Sequence, residues 1–261
     1  DAVLLGATSG LRYFTGIVWH PSERFLGAIV HAKGGMDYIA PRFELDKVRQ
    51  LISIDGEVRT WQEEESPFRL IRDTVGAKAR LGVDDQIALF MYRHLRREFS
   101  DEQLADAGPM ISALRRRKSP AEIALMQHAK TVTLEVHRRA HAQLREGQYA
   151  SEVVSFIDEQ HRALVGASNT FCIVCFGDDS ALPHGGEGDR ALKRGDVVLI
   201  DTGTQLDGYN SDITRTYVFG EADADVRRVW EAEKAAQAAA FAAAKLGAPC
   251  ESVDAAARAS L

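Results

Sequence analysis

The stretch VLIDTGTQLDGYNSDITRTY, residues 198–217, constrains the fold more than any other part of the sequence. An apolar, strand-forming run at residues 197–200 ends on Asp201, and β-branched residues resume after Asp212. Between them, Asp207 and Gly208 form the strongest short signal for a two-residue turn joining antiparallel strands. Because aspartate is depleted in strands, two aspartates in one hairpin need a reason.

The turn predicts which residues of the hairpin face one another. With Asp207 and Gly208 as the loop, Asp201 lies directly opposite Thr214. Asp212 precedes Thr214 by two residues, so it shares a face with Asp201 as a diagonal neighbour about 7–8 Å away. The apolar run before Asp201 predicts a strand that is covered on both faces. The sequence therefore predicts two carboxylates that converge.

Two convergent carboxylates in a buried strand pair repel each other and lose hydration, so this unfavourable energy must be offset. One of them could be protonated, an arginine could pair with both, or cations could bind between them. Arg215 points to the face opposite Asp212, which weakens the arginine alternative. A shared metal site with Thr214 as a supporting hydroxyl fits better. On spacing alone, a purely structural role, in which Asp201 ends a strand and Asp212 caps a loop, stands equally open.

Composition narrows the class of protein. With 261 residues, 45% of them hydrophobic, the chain can bury a core in each of two domains. A net charge of −6 argues against a nucleic-acid partner, since such proteins carry a basic excess. No apolar run approaches the roughly 18 residues that suggest a membrane span. Three cysteines make no disulfide framework, which favours a cytoplasmic location.

Residues 1–115 alternate strand and helix patterns, and this predicts an N-terminal α/β domain. The predicted strands are a hairpin of residues 24–32 and 36–40, and residues 57–61 and 80–83. The predicted helices are residues 43–52, 67–75 and 86–99. After a basic run, Ser119, Pro120 and Glu122 predict a capped helix start and hence a second domain at residues 119–261.

The second domain is predicted to begin with two helices, the first ending near Gly147 and the second spanning residues 151–164. A strand at 171–177 and the hairpin follow, then an Ala-rich helix at 223–245 and another helix from residue 251. Gly147 and Gly247, 100 positions apart, each close a long helix, which suggests a weak internal repeat. We expect the chain to be part of a longer protein, cut before the strands of the second copy.

The hairpin resembles the first metal-ligand hairpin of the pita-bread metallopeptidases. The upstream segments are similar to the Xaa-Pro dipeptidase (prolidase) and aminopeptidase P branch of that family. The matching segments are IDTG at 200–203, GY at 208–209, DITRT at 212–216, LPHG at 182–185 with Asp189 and Arg190, KSPAEI at 118–123, and LRYFTG at 11–16. The resemblance covers nearly the whole chain.

The resemblance implies an α/β N-terminal domain followed by an incomplete α+β pita-bread domain, comprising its first half and the start of its second. It implies two divalent metal ions, with Mn²⁺ favoured over Co²⁺ or Zn²⁺, held by two Asp, one His and two Glu. The two Asp map onto Asp201 and Asp212, and the other three ligands are expected beyond Leu261. Residues 1–261 alone are therefore expected to be inactive. His184, in the PHG segment, is implied to contact substrate or to shuttle protons.

The implied reaction is hydrolysis of dipeptides with carboxy-terminal proline, with aminopeptidase P activity on longer peptides as the near alternative. Paired metals can activate a shared water for this reaction. A dimer is implied by relatives. Methionine aminopeptidase is disfavoured because it lacks such a first domain, and creatinase because it has lost the metal ligands. A non-enzymatic, peptide- or protein-binding relative is the rival from another class.

Cys172 and Cys175 form a lone C-x-x-C on a predicted strand. Their odd separation places the two thiols on opposite faces of that strand, so they cannot hold one metal ion together. They are interpreted as core residues. The seven histidines other than His184 are assigned no role.

Overall fold

Short segments of alternating apolar residues form the sheet of residues 1–119, the first of two units into which the chain divides. The computed structural model describes residues 1–261. The strands are β1 (Ala2–Leu5), β2 (Gly27–His31), β3 (Met36–Pro41), β4 (Glu57–Trp61), β5 (Leu81–Val83) and β6 (Leu104–Asp106). Their order is β4-β3-β2-β1-β5-β6, in which β2 is antiparallel to β1 and β3 and the other pairs are parallel.

Five helices cover both faces of this sheet, so its strands bury side chains on each side. They are α1 (Ser9–Thr15), α2 (Leu45–Leu51), α3 (Pro67–Val75), α4 (Leu89–Glu98) and α5 (Gly108–Arg115). Leu4 and Ile39 pack in one core with α3 and α4. Leu5 and Tyr38, the neighbours of these residues along the strands, pack in a second core with α1, α2 and α5. The alternation follows from the two-residue period of a strand.

The predicted hairpin, strands β4 and β5, and helices α2, α3 and α4 are confirmed, with ends that differ by at most a few residues. The sequence pattern does not predict β1, β6, α1 or α5. Each of these elements is short, at three to eight residues. A segment of that length holds too few apolar repeats to show a period.

Residues 120–261 form the second unit, built on a smaller antiparallel sheet. Its helices are α6 (Pro120–Gln143), α7 (Ala150–Val165), α8 (Ala224–Ala243) and α9 (Cys250–Ser260). Its strands are β7 (Asn169–Phe176), β8 (Val197–Leu206), β9 (Tyr209–Asn210) and β10 (Ile213–Val218). β8 lies between β7 and β10, and it also pairs with β9 across the turn.

Helices α6 and α7 cover one face of this sheet. Val136 of α6 and Ile157 of α7 are fully buried against Val198 and Ile200 of β8. Leu199 and Asp201, which alternate with them, are only half-buried. The prediction that this strand is covered on both faces is therefore wrong for residues 1–261, because the helices pack on one face and the other face is left partly open.

The four predicted helices of the second unit are confirmed. Helix α6 ends at Gln143 and α8 at Ala243, while α7 begins at Ala150 and α9 at Cys250. Gly147 and Gly247 in the two connections adopt φ angles of 82° and 83°. Glycine suits this left-handed conformation because it has no Cβ. Helices α8 and α9 pack against each other.

Two leucines of α4 provide a test of the first core. Leu95 is fully buried, whereas Leu89 is 65% exposed on the same helix. Leu95→Ala should lower the free energy of unfolding by about 2–5 kcal/mol, because it leaves a cavity in packed surroundings. Leu89→Ala should change it by less than about 0.5 kcal/mol. Urea unfolding measures both, and an equal effect of the two substitutions would contradict this packing.

Candidate metal centre

The register of the hairpin is set by its two-residue turn. Asp207 and Gly208 both adopt positive φ, 48° and 92°, as a type I′ turn requires. Strand β8 then pairs with β9 and β10 in one continuous register, in which Thr214 lies opposite Asp201. The predicted pairing of these two residues is confirmed.

A break separates β9 from β10 at Ser211 and Asp212. There the Ser211 carbonyl oxygen passes so close to Gly203 that a Cβ at that position would lie 1.9 Å from it. Only glycine permits this approach. Ser211 nevertheless stays attached to β8, because its amide donates a hydrogen bond to the Thr204 carbonyl at 2.9 Å. Asp212 therefore lies in a short break between two strands, and this break is held against the central strand β8.

Asp201 is oriented by its neighbour across the ladder. The Thr214 hydroxyl donates a hydrogen bond to Asp201 Oδ1 at 2.8 Å, which leaves the second carboxylate oxygen without a protein donor. Arg215 is paired with the buried Ile200, so it lies on the helix-covered face, away from Asp201. Its guanidinium donates to the Thr214 carbonyl instead. The sequence argument against an arginine partner is thus supported.

Asp212 is exposed, and its carboxylate forms no ion pair or hydrogen bond with the protein. Extending the alternation of β10 back by one residue predicts that Asp212 shares the face of Thr214, which is also the face of Asp201. Neither aspartate is fully buried, so the expected cost of burying two charges is smaller than the sequence implied. Convergence of the two carboxylates on one ion stays a prediction.

The carboxylates of Asp201 and Asp212 and the hydroxyl of Thr214 are oxygen donors that suit hard divalent cations. The two carboxylates could therefore form part of the ligand set for the metal ions that the resemblance implies. Residues 1–261 contain no group of three or more His, Cys, Asp and Glu side chains that could hold a metal ion. A complete centre needs further ligands.

His184 is exposed on the loop that follows β7. It lines an open cavity of about 200 Å³ together with Ile173 and Cys175 of β7. Ile173 is the direct partner of Asp201 on β8, so the cavity adjoins the strand position of that carboxylate. Farther along the chain, this loop is attached to the first turn of α7, where Asp189 accepts hydrogen bonds from the backbone amide and the hydroxyl of Ser151.

Tyr209, beside the turn, links the hairpin to the start of α6. Its hydroxyl donates to Glu122 Oε1 at 2.7 Å. The sequence suggested Glu122 only as part of a capping box. The structure adds a contact over 87 positions of sequence, which no local pattern could have indicated.

The two strand cysteines lie on opposite faces of β7, as predicted. Cys172 is paired with Thr202 on the helix-covered side, and Cys175 with Leu199 on the other side. Burial raises the pKa of Cys172 to about 11 and also raises the pKa of Cys175. Both thiols therefore stay protonated near neutral pH, in which form they are poor metal ligands.

Two buried histidines lie beneath the hairpin, and no sequence pattern singled them out. His161 of α7 is fully buried and His137 of α6 is 7% exposed. Burial lowers the pKa of each imidazole below the ordinary value of 6.5, because the charged form loses hydration. Both are therefore neutral at pH 7.

Family models match both units. Residues 124–261 match the metallopeptidase family M24, and residues 1–117 match the creatinase/prolidase N-terminal domain. The chain is 31% identical to an uncharacterized peptidase of Schizosaccharomyces pombe, over 83% of the chain and 50% of that protein. It is 29% identical to an uncharacterized peptidase of Staphylococcus aureus, over 97% of the chain and 72% of that protein. The chain thus spans half the length of the yeast relative.

Solved structures with the same fold cover the whole chain. The dipeptidase PepE from Mycobacterium ulcerans superposes with a TM-score of 0.89 at 30% identity, over 71% of its own length. The prolidase from Thermococcus sibiricus gives 0.86 at 30% identity over 72% of its length. The X-Pro aminopeptidase from Thermotoga maritima gives 0.83 at 25% identity over 74%.

Fold and hairpin together define a protein with a creatinase/prolidase-type N-terminal domain and a pita-bread domain, which confirms the predicted fold class. The chain belongs to metallopeptidase family M24. Membership of this family implies divalent metal ions, in agreement with the oxygen donors of the hairpin.

The buried histidines predict a pH dependence of stability. Because their pKa values are lowered in the folded state, the unfolded chain binds protons more readily. Stability that is fully present above about pH 6.5 should be lost as the pH falls below that value. Urea unfolding at pH 7.5 and pH 5 measures this loss, which should be smaller in His161→Gln than in the wild type.

The exposed His20 supplies the control, since His20→Gln should leave the pH dependence unchanged. An equal loss of stability in the wild type and His161→Gln would show that His161 does not carry the effect.

Proposed function

We propose that the full-length protein is a metal-dependent hydrolase that cleaves Xaa-Pro dipeptides. One observation supports the proposal most directly: Thr214 donates a hydrogen bond to Asp201 on the open face of a central hairpin, and the same hairpin carries the exposed, unpaired Asp212. The chain is a member of a metallopeptidase family, and several superposable structures are named prolidases or dipeptidases. Both facts support this substrate class.

In this proposal Asp201 and Asp212 hold two divalent metal ions together with ligands from other parts of the protein. The bound metals would polarise the peptide carbonyl and lower the pKa of a water molecule. Thr214 holds one carboxylate oxygen of Asp201 by its hydrogen bond, and the second oxygen, which has no protein donor, would be the one to bind metal.

His184 is proposed to act on the substrate from the cavity beside β7. Its ring can donate a hydrogen bond to the peptide or take part in proton transfer, as histidine side chains do in many enzymes. Its loop contains Gly185 and Gly186, and a Cβ on Gly186 would lie 2.6 Å from Asp179 Oδ1. Close packing of the loop backbone thus helps to hold His184 at the rim.

The near alternative is aminopeptidase P activity, in which a peptide continues beyond the proline. The X-Pro aminopeptidase of Thermotoga maritima superposes almost as well as the dipeptidases, and this supports aminopeptidase P activity as the alternative. A non-enzymatic relative is disfavoured by the two retained carboxylates. Manganese as the metal, a homodimer and a cytoplasmic location are proposed as well; the three unpaired cysteines favour a reducing compartment.

The hairpin offers a matched set of aspartate variants. Asp201→Asn and Asp212→Asn should each lower kcat/KM for Ala-Pro with Mn²⁺ at least about 100-fold, because each removes a charged metal ligand. Asp207→Asn, in the turn of the same hairpin, should keep the wild-type rate because asparagine tolerates positive φ. Steady-state hydrolysis measures all three, and wild-type rates in the first two would refute the metal role.

A comparison of substrates separates the two activities. The wild type should hydrolyse Ala-Pro faster than the tripeptide Ala-Pro-Ala. Cleavage of the tripeptide alone would establish the aminopeptidase alternative instead.

For His184, the expected effect lies in turnover. His184→Ala should lower kcat about 100-fold, in the range for loss of a proton-transfer group, with Mn²⁺ affinity unchanged. Glu187→Gln, an exposed position of the same loop, should keep both values. A kcat within twofold of the wild type in His184→Ala would exclude the proposed role.

A further inference from the structure

A chain of buried polar groups connects helices α6 and α7 to the hairpin. Thr133 and His161 are fully buried and Ser211 is 1% exposed. Thr133 Oγ1 lies 2.7 Å from Ser211 Oγ and 3.4 Å from His161 Nε2. Burial of three polar side chains without partners would be costly, so their mutual hydrogen bonds are needed to keep them there.

The hydrogen bonds run in one direction through the chain. The Thr204 amide donates to Ser211 Oγ at 2.9 Å, and at the far end His161 Nδ1 donates to the Ile157 carbonyl at 3.1 Å. His161 is neutral, so its Nε2 accepts a hydrogen bond. Thr133 therefore donates to His161 and accepts from Ser211. In this arrangement each of the two hydroxyls donates once and accepts once. The Ser211 hydroxyl also lies 3.3 Å from the Thr204 carbonyl, which is an alternative acceptor for it.

A second contact holds the other side of the irregular segment. His137 lies one helical turn after Thr133 on α6, so the two side chains share a face. His137 Nε2 donates to the Ile213 carbonyl at 2.9 Å. Ser211 and Ile213 flank Asp212, and both are thus anchored to the same helix. The Asp212 backbone has little freedom although the residue belongs to no strand.

We infer that Thr133, Ser211 and His137 are positioning residues that hold Asp212 at its place in the metal site. The inference rests on the proposed function, since it takes Asp212 as a ligand. None of the three side chains reaches the open face of the sheet. They act through the peptide units on either side of Asp212. Loss of a residue that supports a metal ligand in this way typically changes metal affinity by about 10- to 100-fold.

The test uses the full-length protein and measures Mn²⁺ affinity directly, from the signal of free Mn²⁺ in electron paramagnetic resonance. Thr133→Val preserves shape but removes the hydroxyl, and it should weaken Mn²⁺ binding at least about tenfold. Thr133→Ser keeps the hydroxyl and should restore the affinity. Thr131→Val is the matched control, because Thr131 is exposed on the same helix and bonds only within it.

Ser211→Ala provides a second, independent perturbation should Thr133→Val fail to fold. It removes the same Thr133–Ser211 hydrogen bond and should weaken Mn²⁺ binding by a similar factor. The double variant should lose no more affinity than the weaker-binding single variant, because both substitutions break one shared contact. At saturating Mn²⁺, kcat should recover to within about threefold of the wild type.

Wild-type Mn²⁺ affinity in Thr133→Val and Ser211→Ala would overturn the inference. The Asp212→Asn variant separates that result from a failure of the proposed function. If Asp212→Asn loses Mn²⁺ while the other two bind normally, Asp212 is a ligand that needs no such support. If Asp212→Asn also binds Mn²⁺ normally, the metal assignment itself is wrong.

Discussion

The close approach between Gly203 and the Ser211 carbonyl is the constraint on which the second unit depends. It lets the returning chain leave the ladder for two residues without losing the register set by Asp207 and Gly208. Without that freedom, Asp212 would be an ordinary strand residue. The break instead leaves its side chain exposed and free of protein partners, while the orientation of Asp201 comes from Thr214.

Helix α6 connects this local geometry to the stability of the unit. Its apolar residues Val132 and Val136 pack in the core, while Thr133 and His137 contact the segment around Asp212. The burial of these apolar residues holds α6 against the sheet, and it therefore also orders the candidate site. A hairpin held only by its own ladder would be weak, because an isolated two-stranded hairpin is marginally stable in water.

The pairing of Asp201 with Thr214 was predictable from sequence, because residues at equal distances from a two-residue turn lie opposite each other in the hairpin. The helix-to-helix repeat was predictable for a similar reason, since Gly147 and Gly247 mark both helix ends. The polar chain through Thr133, Ser211 and His161 was not, because a threonine or histidine on an amphipathic helix carries no sign of burial. Its contacts span 28 and 78 positions of sequence. The open face of β8 also escaped prediction, since an apolar run does not reveal which partner covers each side.

The central claim is that one surface of this hairpin gathers Asp201 and Asp212 around metal ions. The most direct measurement is anomalous X-ray scattering from crystals of the full-length protein grown with Mn²⁺. We expect manganese peaks in bonding contact with carboxylate oxygens of both residues, with the Thr214 hydroxyl still bonded to Asp201. Manganese bound elsewhere, or two carboxylates turned away from each other, would contradict it.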